Sequence, residues 1–111
     1  MTNSPTYQLS HAGLGDLNQL RAIEKACFPL DAWPMLELIG VLIMPTLVKI
    51  KAEIGDKMIG FVGGDAHRLE GVGWITTLGV LPQYQRMGIA TALLDQCEEQ
   101  MGMSVVKLTV R

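Results

Sequence analysis

The spacing of apolar residues in the first half of the chain predicts two helices. Residues 16–27 form the first, because Asp16 followed by Gln19 fits a capping box at its start. The second is expected from about residue 33 to residue 44, where Pro45 stops it. Apolar positions recur at the three-to-four-residue helical period in the first of these segments at Leu17, Leu20, Ile23 and Cys27.

The period changes to two residues in the middle of the chain. Residues 47–54 alternate between apolar and polar, which is typical of a strand with one buried face. A turn at residues 55–57 leads into a hairpin partner at residues 58–63. A polar connection over residues 64–71 then precedes a strand over residues 72–80.

The last third predicts a helix at residues 88–101, with Gly102 as its C-terminal stop, followed by a strand at residues 105–110. With a short first strand at residues 7–10, the order is β-α-α-β-β-β-α-β. We therefore expect an α/β fold with a mixed β-sheet flanked by helices, whose final strand-helix-strand unit is a right-handed parallel crossover. The apolar stripe of the last helix consists of Ile89, Ala90, Leu93, Leu94, Cys97 and Met101.

Composition limits the possible partners. A chain of 111 residues is expected to be one domain, 1–111. Nine Lys and Arg against eleven Asp and Glu leave no basic face for nucleic acid. The longest apolar stretch, residues 38–48, contains Pro45 and is too short to span a membrane. The N-terminus lacks the basic and apolar regions of a secretory signal, so we expect a cytoplasmic protein.

The cysteines and histidines predict no metal site. Cys27 and Cys97 lie far apart in the sequence, and His11 and His67 are isolated from both. We interpret the two cysteines as reduced, buried residues.

The segment Gln85–Ala90 interrupts the chain between the predicted strand and helix, and it has the character of a phosphate cradle. A helix N-terminus presents free N–H groups and a partial positive charge. Gly88 leaves the main chain bare, Ala90 is small, and Arg86 adds a charge. The alternative is an ordinary strand-to-helix turn with a solvated arginine. Other phosphate motifs are missing from the sequence.

The segment ITTLGVLPQYQRMGIATALLDQCEEQ resembles the acyl-CoA-binding motif of the GNAT superfamily of N-acetyltransferases, a strand followed by [RQ]-x-x-G-x-[GA] and a helix. The segment IEKACFP is similar to the corresponding region of acetyltransferases that modify the N-terminal alanine of ribosomal proteins. The resemblance covers nearly the whole chain, and its specific part is the central motif.

The resemblance implies acetyl-CoA as the acyl donor, without a metal, and assigns its site. The main chain at Leu78-Gly79-Val80 would pair with the pantetheine arm, and Gly79 suits a local bulge. The alternative for Leu78 and Val80 is a plain core strand. Both roles can hold, because the side chains fill the core while the main-chain groups bind. The diphosphate loop would consist of Arg86, Met87, Gly88, Ile89, Ala90 and Thr91.

The sequence contains no convincing general base. The position that matches the family's glutamate on the final strand is Thr109. His67 and Glu70, with Asp65, lie in the polar connection and are weak catalytic candidates whose alternative is a solvated loop. Glu24 and Glu37 are expected to be solvated rather than catalytic. A base acting through water, or an acceptor that needs none, are the other options.

Family members continue past this last strand through a helix and two strands, and the expected fold lacks these elements. The final strand, VVKLTVR, would then be an exposed edge, so we expect a homodimer or a partner chain to cover it. A fragment of a longer protein is the alternative. Trp33, Phe28 and Pro29 are at the expected acceptor loop, where structural roles compete with acceptor contact.

The function expected is acetyl transfer from acetyl-CoA to a primary amine, with an N-terminal α-amine of a protein as one option. The alternatives are a non-catalytic acyl-CoA-binding or regulatory module, and a small interaction domain without a ligand. The acceptor is not identified by the sequence, because fold does not determine substrate.

Overall fold

A five-stranded sheet and three helices make up the computed structural model, which describes residues 6–27, 35–44, 47–67, 69–103 and 105–108. The element order confirms the predicted one. The strands are β1 (Gln8–His11), β2 (Leu47–Ile54), β3 (Lys57–His67), β4 (Val72–Val80) and β5 (Val105–Leu108). The helices are α1 (Leu17–Cys27), α2 (Met35–Ile43) and α3 (Ile89–Met101), with 3₁₀ turns at Leu14–Asp16 and Pro82–Tyr84.

The strands lie in the order β1-β2-β3-β4-β5. Neighbours from β1 to β4 are antiparallel, and β4 pairs with β5 in parallel, as the strand-helix-strand unit predicts. The fold is therefore the expected mixed sheet flanked by helices. None of the helices in the described part of the chain has the length and apolar content needed to cross a bilayer.

Each face of the sheet is covered by helix. On one face, α3 buries Ile89, Leu93, Cys97 and Met101 against side chains that include Ile50, Val62 and Ile75. This confirms the apolar stripe of the last helix. On the other face, α1 and α2 bury Leu20, Ile23, Leu38, Val41 and Leu42 against Met58 and Phe61.

Strand β3 is longer than predicted, because it continues through Gly63 and Gly64 to His67. The two glycines are packing positions rather than turn positions. A Cβ atom on Gly64 would stand 2.6 Å from the sulfur of Cys97, and one on Gly63 would stand 3.0 Å from Cγ2 of Thr77. The bare main chain thus lets α3 and the neighbouring strand approach closely.

The predicted capping box at the start of α1 is wrong. The carboxylate of Asp16 instead accepts a hydrogen bond from the main-chain N–H of Gly13 at 2.9 Å and an ion pair from Lys51 at 2.8 Å. Gln19 joins α1 to the β2–β3 turn, since its Oε1 accepts from the N–H of Met58 at 2.6 Å. Hydrogen bonds and ion pairs with the sheet, rather than a helix cap, therefore position the side chains of Asp16 and Gln19.

The bulge expected at Gly79 lies instead at Thr76. Ile75 and Thr77 pair with consecutive residues of β3, which leaves Thr76 as the extra residue, whereas Gly79 pairs regularly with Phe61. Gly79 has a packing role. A Cβ atom there would stand 3.2 Å from Cγ2 of Ile23, so the glycine lets α1 lie directly on β4.

Candidate functional site

Three residues at the end of β4, Leu78, Gly79 and Val80, border an open cleft. Leu81 donates its N–H to the carbonyl of Ile59 at 2.8 Å, so alternate residues direct their main-chain groups to β3. The main-chain groups of Leu78 and Val80 consequently face the opposite, open side.

A cleft of about 500 Å³ lies along this open edge. It extends from the C-terminal end of α1, across the end of β4, to the start of α3. The sequence-predicted residues that line it are Leu78, Gly79, Val80, Arg86 and Ala90. The cleft is also lined by Ala26, Cys27 and Gln85, which the sequence analysis did not assign to the site. Gln85 had a signal, since it occupies the first position of the [RQ]-x-x-G-x-[GA] motif.

The loop at the end of the cleft has two residues in the left-handed region. Arg86 has φ 67° and Gly88 has φ 80°. Arg86 is exposed, and it is the single non-glycine residue with positive φ among the described residues. A left-handed conformation costs an L-residue roughly 1–2 kcal/mol. The loop therefore holds Arg86 in a strained backbone conformation at the cleft.

The N-terminus of α3 opens at this loop. Gly88 is its N-cap, and no side chain of the described residues caps it. Within the helix, the N–H of Ala92 is bonded to the carbonyl of Gly88 at 3.0 Å. The preceding N–H groups, together with the positive end of the helix dipole, form the kind of site that binds phosphate.

The other predicted loop residues have different surroundings. The side chain of Ile89 is 1% exposed and belongs to the core, so only its main chain is available to a ligand. Met87 is half-buried against the same core, while Thr91 is exposed on the first turn of α3.

The carbonyl oxygen of Val80, in the cleft, accepts two side-chain hydrogen bonds. It accepts a hydrogen bond from Nε2 of Gln85 at 3.0 Å and another from Sγ of Cys27 at 3.3 Å. Both donors are side chains. The polar main-chain atom at the open edge is therefore satisfied without a neighbouring strand.

Cys27 is a free thiol of intermediate burial, so the expectation that both cysteines are buried holds for Cys97 and not for Cys27. Burial raises its pKa above the ordinary value, and the negative charge of the nearby Glu24 acts in the same direction. Cys97 is buried in the core, and desolvation raises its pKa to about 11. Both thiols are thus held in the protonated form near neutral pH.

Glu24 is buried beneath this region, which corrects the expectation that it is solvated. The residue is 2% exposed, and its carboxylate accepts a hydrogen bond from Oγ1 of Thr77 at 3.1 Å. Thr77 is 5% exposed. The sequence did carry a signal, because residue 24 follows Leu20 by four positions and so falls on the apolar side of α1.

His67 and Glu70 lie together, but not at the cleft. Nε2 of His67 is 3.0 Å from Oδ2 of Asp65, and its Nδ1 is 3.8 Å from Oε2 of Glu70. His67 pairs with Val72 at the start of β4, whereas the cleft lies at Val80, about 26 Å further along a strand of this length. The structure does not bring either weak catalytic candidate to the cleft.

Several predicted positions lie outside the described residues. They are Phe28, Pro29, Trp33, Thr109 and Arg111, together with the side chain of Glu37. In the part of the chain that is described, no three His, Cys, Asp or Glu side chains are grouped as a metal ion would require.

The chain belongs to the acetyltransferase (GNAT) family, whose family model matches residues 17–110. No curated protein matches the sequence. Its fold is that of solved N-acetyltransferases. The ribosomal-protein-S18-alanine N-acetyltransferase of Escherichia coli aligns with a TM-score of 0.77 at 19% identity, over 86% of this chain and 59% of that one. The present chain thus spans less than two thirds of that enzyme's length.

Two further structures with the same fold contain coenzyme A or acetyl-CoA. The PaiA N-acetyltransferase of Thermoplasma acidophilum, in complex with coenzyme A, aligns with a TM-score of 0.77 at 14% identity, over 87% of this chain and 72% of that one. NAA60 of Arabidopsis thaliana, in complex with acetyl-CoA, aligns with a TM-score of 0.75 at 21% identity, over 95% of this chain and 74% of that one.

Proposed function

We propose that the chain binds acetyl-CoA in the cleft beside β4 and transfers the acetyl group to a primary amine. The observation that carries the proposal is the open edge of β4. The main-chain groups of Leu78 and Val80 face a cleft that leads to the N-terminus of α3 at Gly88. An extended amide-containing arm pairs with such an edge as an added strand does.

The loop suits the diphosphate. The N–H groups that follow Gly88, including that of Ile89, receive the phosphate oxygens, and the small side chain of Ala90 leaves room for them. Arg86 supplies a positive charge. Met87 holds the loop against the core, and Thr91 places a hydroxyl on the exposed first turn of α3.

The transfer forms a bond from the amine nitrogen to the acetyl carbon and breaks the carbon–sulfur bond. The amine loses one proton, and the leaving thiolate takes one up. The described residues that line the cleft include no carboxylate and no imidazole. Without such a group, the acceptor needs an appreciable neutral fraction of its own. This favours an α-amine, with a pKa near 7.7–8.0, over a lysine side chain near 10.4.

The same lining favours a second candidate, a non-catalytic acyl-CoA-binding or regulatory module. Such a module keeps the cofactor cleft and catalyses no transfer. The two candidates share every binding residue, so only turnover separates them.

The test is titration calorimetry with acetyl-CoA, followed by thiol release in the presence of peptides with a free α-amine. We expect one acetyl-CoA per chain, and binding weaker by roughly tenfold or more in Arg86→Ala, since a hydrogen bond to a charged group contributes about 1.5–3 kcal/mol. Arg21→Ala, which removes an exposed arginine from α1, is the matched control. Binding without turnover supports the regulatory module, and the absence of binding overturns both candidates.

A cytoplasmic location and a homodimer that covers β5 remain predictions. Val105, on the outermost described strand, is 47% exposed, which supports an apolar contact at that edge. Light scattering at micromolar concentration tests the dimer, and a monomer there contradicts it.

A further inference from the structure

We infer that the buried hydrogen bond between Glu24 and Thr77 positions the open segment of β4 for the cofactor. This inference rests on the proposed function. Oγ1 of Thr77 donates to Oε2 of Glu24 at 3.1 Å, and both residues are more than nine-tenths buried. The bond joins α1 to β4.

Thr77 directly precedes Leu78, the first residue of β4 that lines the cleft. On its other side, Thr76 forms the bulge in β4. Oγ1 of Thr76 donates to the carbonyl of Gly63 at 3.2 Å, which holds the bulge to β3. Thr77 thus adjoins the cleft-lining residues 78–80, the open segment of β4, and Glu24 holds it from the face of the sheet.

Two further contacts follow the same line. Gly79 packs beneath Ile23 and Cys27, and Sγ of Cys27 donates to the carbonyl of Val80. With the Glu24–Thr77 bond, these contacts form the α1–β4 seam. A strand with a free edge lacks half of its ladder hydrogen bonds. The seam restrains the open segment from the α1 face of the sheet, which fixes the direction of its main-chain groups toward the cleft.

Within the seam, the Glu24–Thr77 bond is the buried hydrogen bond next to the open segment, whereas the bond from Cys27 is partly buried. Packing of apolar groups tolerates small displacements, whereas a buried hydrogen bond requires its donor and acceptor at a defined distance and angle. Glu24 and Thr77 are therefore positioning residues. They do not line the cleft, and they act on the ligand through the main chain of Leu78 and Val80.

The test compares Thr77→Val, which removes the hydroxyl at nearly constant volume, with Gln19→Met. Gln19 ties the same helix to the β2–β3 turn through Met58 and the carbonyl of Asp56, and it is not among the residues that line the cleft. Acetyl-CoA affinity is measured by calorimetry, and stability by urea unfolding. We expect Thr77→Val to weaken binding by roughly fivefold or more, whereas Gln19→Met lowers stability and changes affinity by less than about twofold.

Two conservative variants complete the series. Thr77→Ser keeps the hydroxyl and should bind as the wild type does. Glu24→Gln keeps an acceptor oxygen and should weaken binding less than Thr77→Val. If Thr77→Val does not fold, Glu24→Gln is compared with Gln19→Met, and weaker binding by the former is required. If the enzyme turns over, the KM for acetyl-CoA rises and that for the amine does not.

The outcomes distinguish the two proposals. If the wild-type chain binds no acetyl-CoA, the proposed function fails, and this inference fails with it. If the wild type binds but the variants at residues 24 and 77 bind equally well, the inference alone is overturned. The same holds if Gln19→Met weakens binding as much as they do, because the effect is then general destabilisation of α1.

Discussion

The main chain of Gly79 lies directly against the thiol of Cys27: a Cβ atom on Gly79 would stand 3.3 Å from that sulfur. The contact brings the end of α1 onto the open segment of β4 and sets one side of the cleft. Glycine is required at this position for close approach, since its regular pairing with Phe61 needs no special backbone conformation.

Gly79→Ala is expected to lower the free energy of unfolding by about 1 kcal/mol, because the added methyl group overpacks the contact with α1. Acetyl-CoA affinity should fall as well, since α1 must shift at the cleft. Urea unfolding and calorimetry measure the two effects. Gly40→Ala is the control. A Cβ atom on Gly40 in α2 contacts nothing within 4 Å, so alanine should stabilise the protein by up to about 1 kcal/mol. An unchanged stability of Gly79→Ala would contradict the packing argument.

Replacement of Arg86 separates backbone strain from charge. Arg86→Gly relieves the left-handed conformation and should be about 1 kcal/mol more stable than Arg86→Ala, which keeps the strain. Both variants lose the guanidinium group, so both should bind acetyl-CoA more weakly, and binding should depend less on salt. Thermal unfolding and calorimetry at two salt concentrations test this. Wild-type affinity in Arg86→Gly would exclude the side chain from the diphosphate site.

The two thiols should differ in their reaction with iodoacetamide. Cys27 should react slowly, because burial raises its pKa and only the thiolate is nucleophilic. Cys97 should not react in the native protein, since it is buried and its pKa is raised to about 11. Mass spectrometry follows both sites, with the unfolded protein as the control in which both react. Saturating acetyl-CoA should protect Cys27, and an unchanged rate would place the ligand elsewhere.

Asp16 should contribute stability that depends on pH. Burial acts to raise its pKa, but hydrogen bonds from Lys51 and the N–H of Gly13 outweigh it and leave the pKa below 3.8. A carboxyl group whose pKa is lowered by folding stabilises the protein above its unfolded pKa, and that contribution is lost as the pH falls through the folded pKa.

The variant Asp16→Asn should therefore be about 1–2 kcal/mol less stable than the wild type at pH 7. The difference should shrink as the pH falls below 3.8. Urea unfolding between pH 7 and pH 2 gives the comparison. Asp95→Asn, at an exposed position on α3, should change stability by less than about 0.5 kcal/mol. A difference that persists at pH 2 would mean that the Asp16 carboxylate charge is not responsible.

The rate of acetyl transfer should follow ionisation of the acceptor. Because the described lining of the cleft has no carboxylate or imidazole, the rate should rise between pH 6 and pH 9 with the pKa of the amine itself. Two peptides whose α-amines differ in pKa test this, since the profile should move with the peptide. A profile that stays at one pH for both peptides would show that a titrating group of the protein acts as the base.

Much of the fold could be predicted from the sequence, because the periodicity of apolar residues reports which side of an element is buried. The stripe from Ile89 to Met101 and the alternation over residues 47–54 identify α3 and β2 without any knowledge of their neighbours. The turn at residues 55–57 and the end of α3 at Gly102 could also be predicted locally, since Gly55 and Gly102 adopt the positive φ angles that glycine favours.

The errors have a common physical cause. The local pattern predicts that the strand ends at Gly63 and that a polar connection begins at Gly64, yet both residues are glycine because Thr77 and Cys97 approach them from elsewhere in the chain. Gln19 was assigned to a cap, but a main-chain group 39 residues away holds it. In each case the residue type is explained by a contact with a residue far away in the sequence, which the local pattern does not show.

The sequence by itself determined the identity and order of the elements and the strand-loop-helix motif from Leu78 to Thr91, because these depend on local period and local conformation. Only the tertiary structure decided which main-chain groups face the cleft, and that Ala26 and Cys27 complete its lining. It also buried Glu24 against Thr77 and separated His67 from Val80. These are consequences of register and of helix packing on the sheet, which bring together residues that lie far apart in the chain.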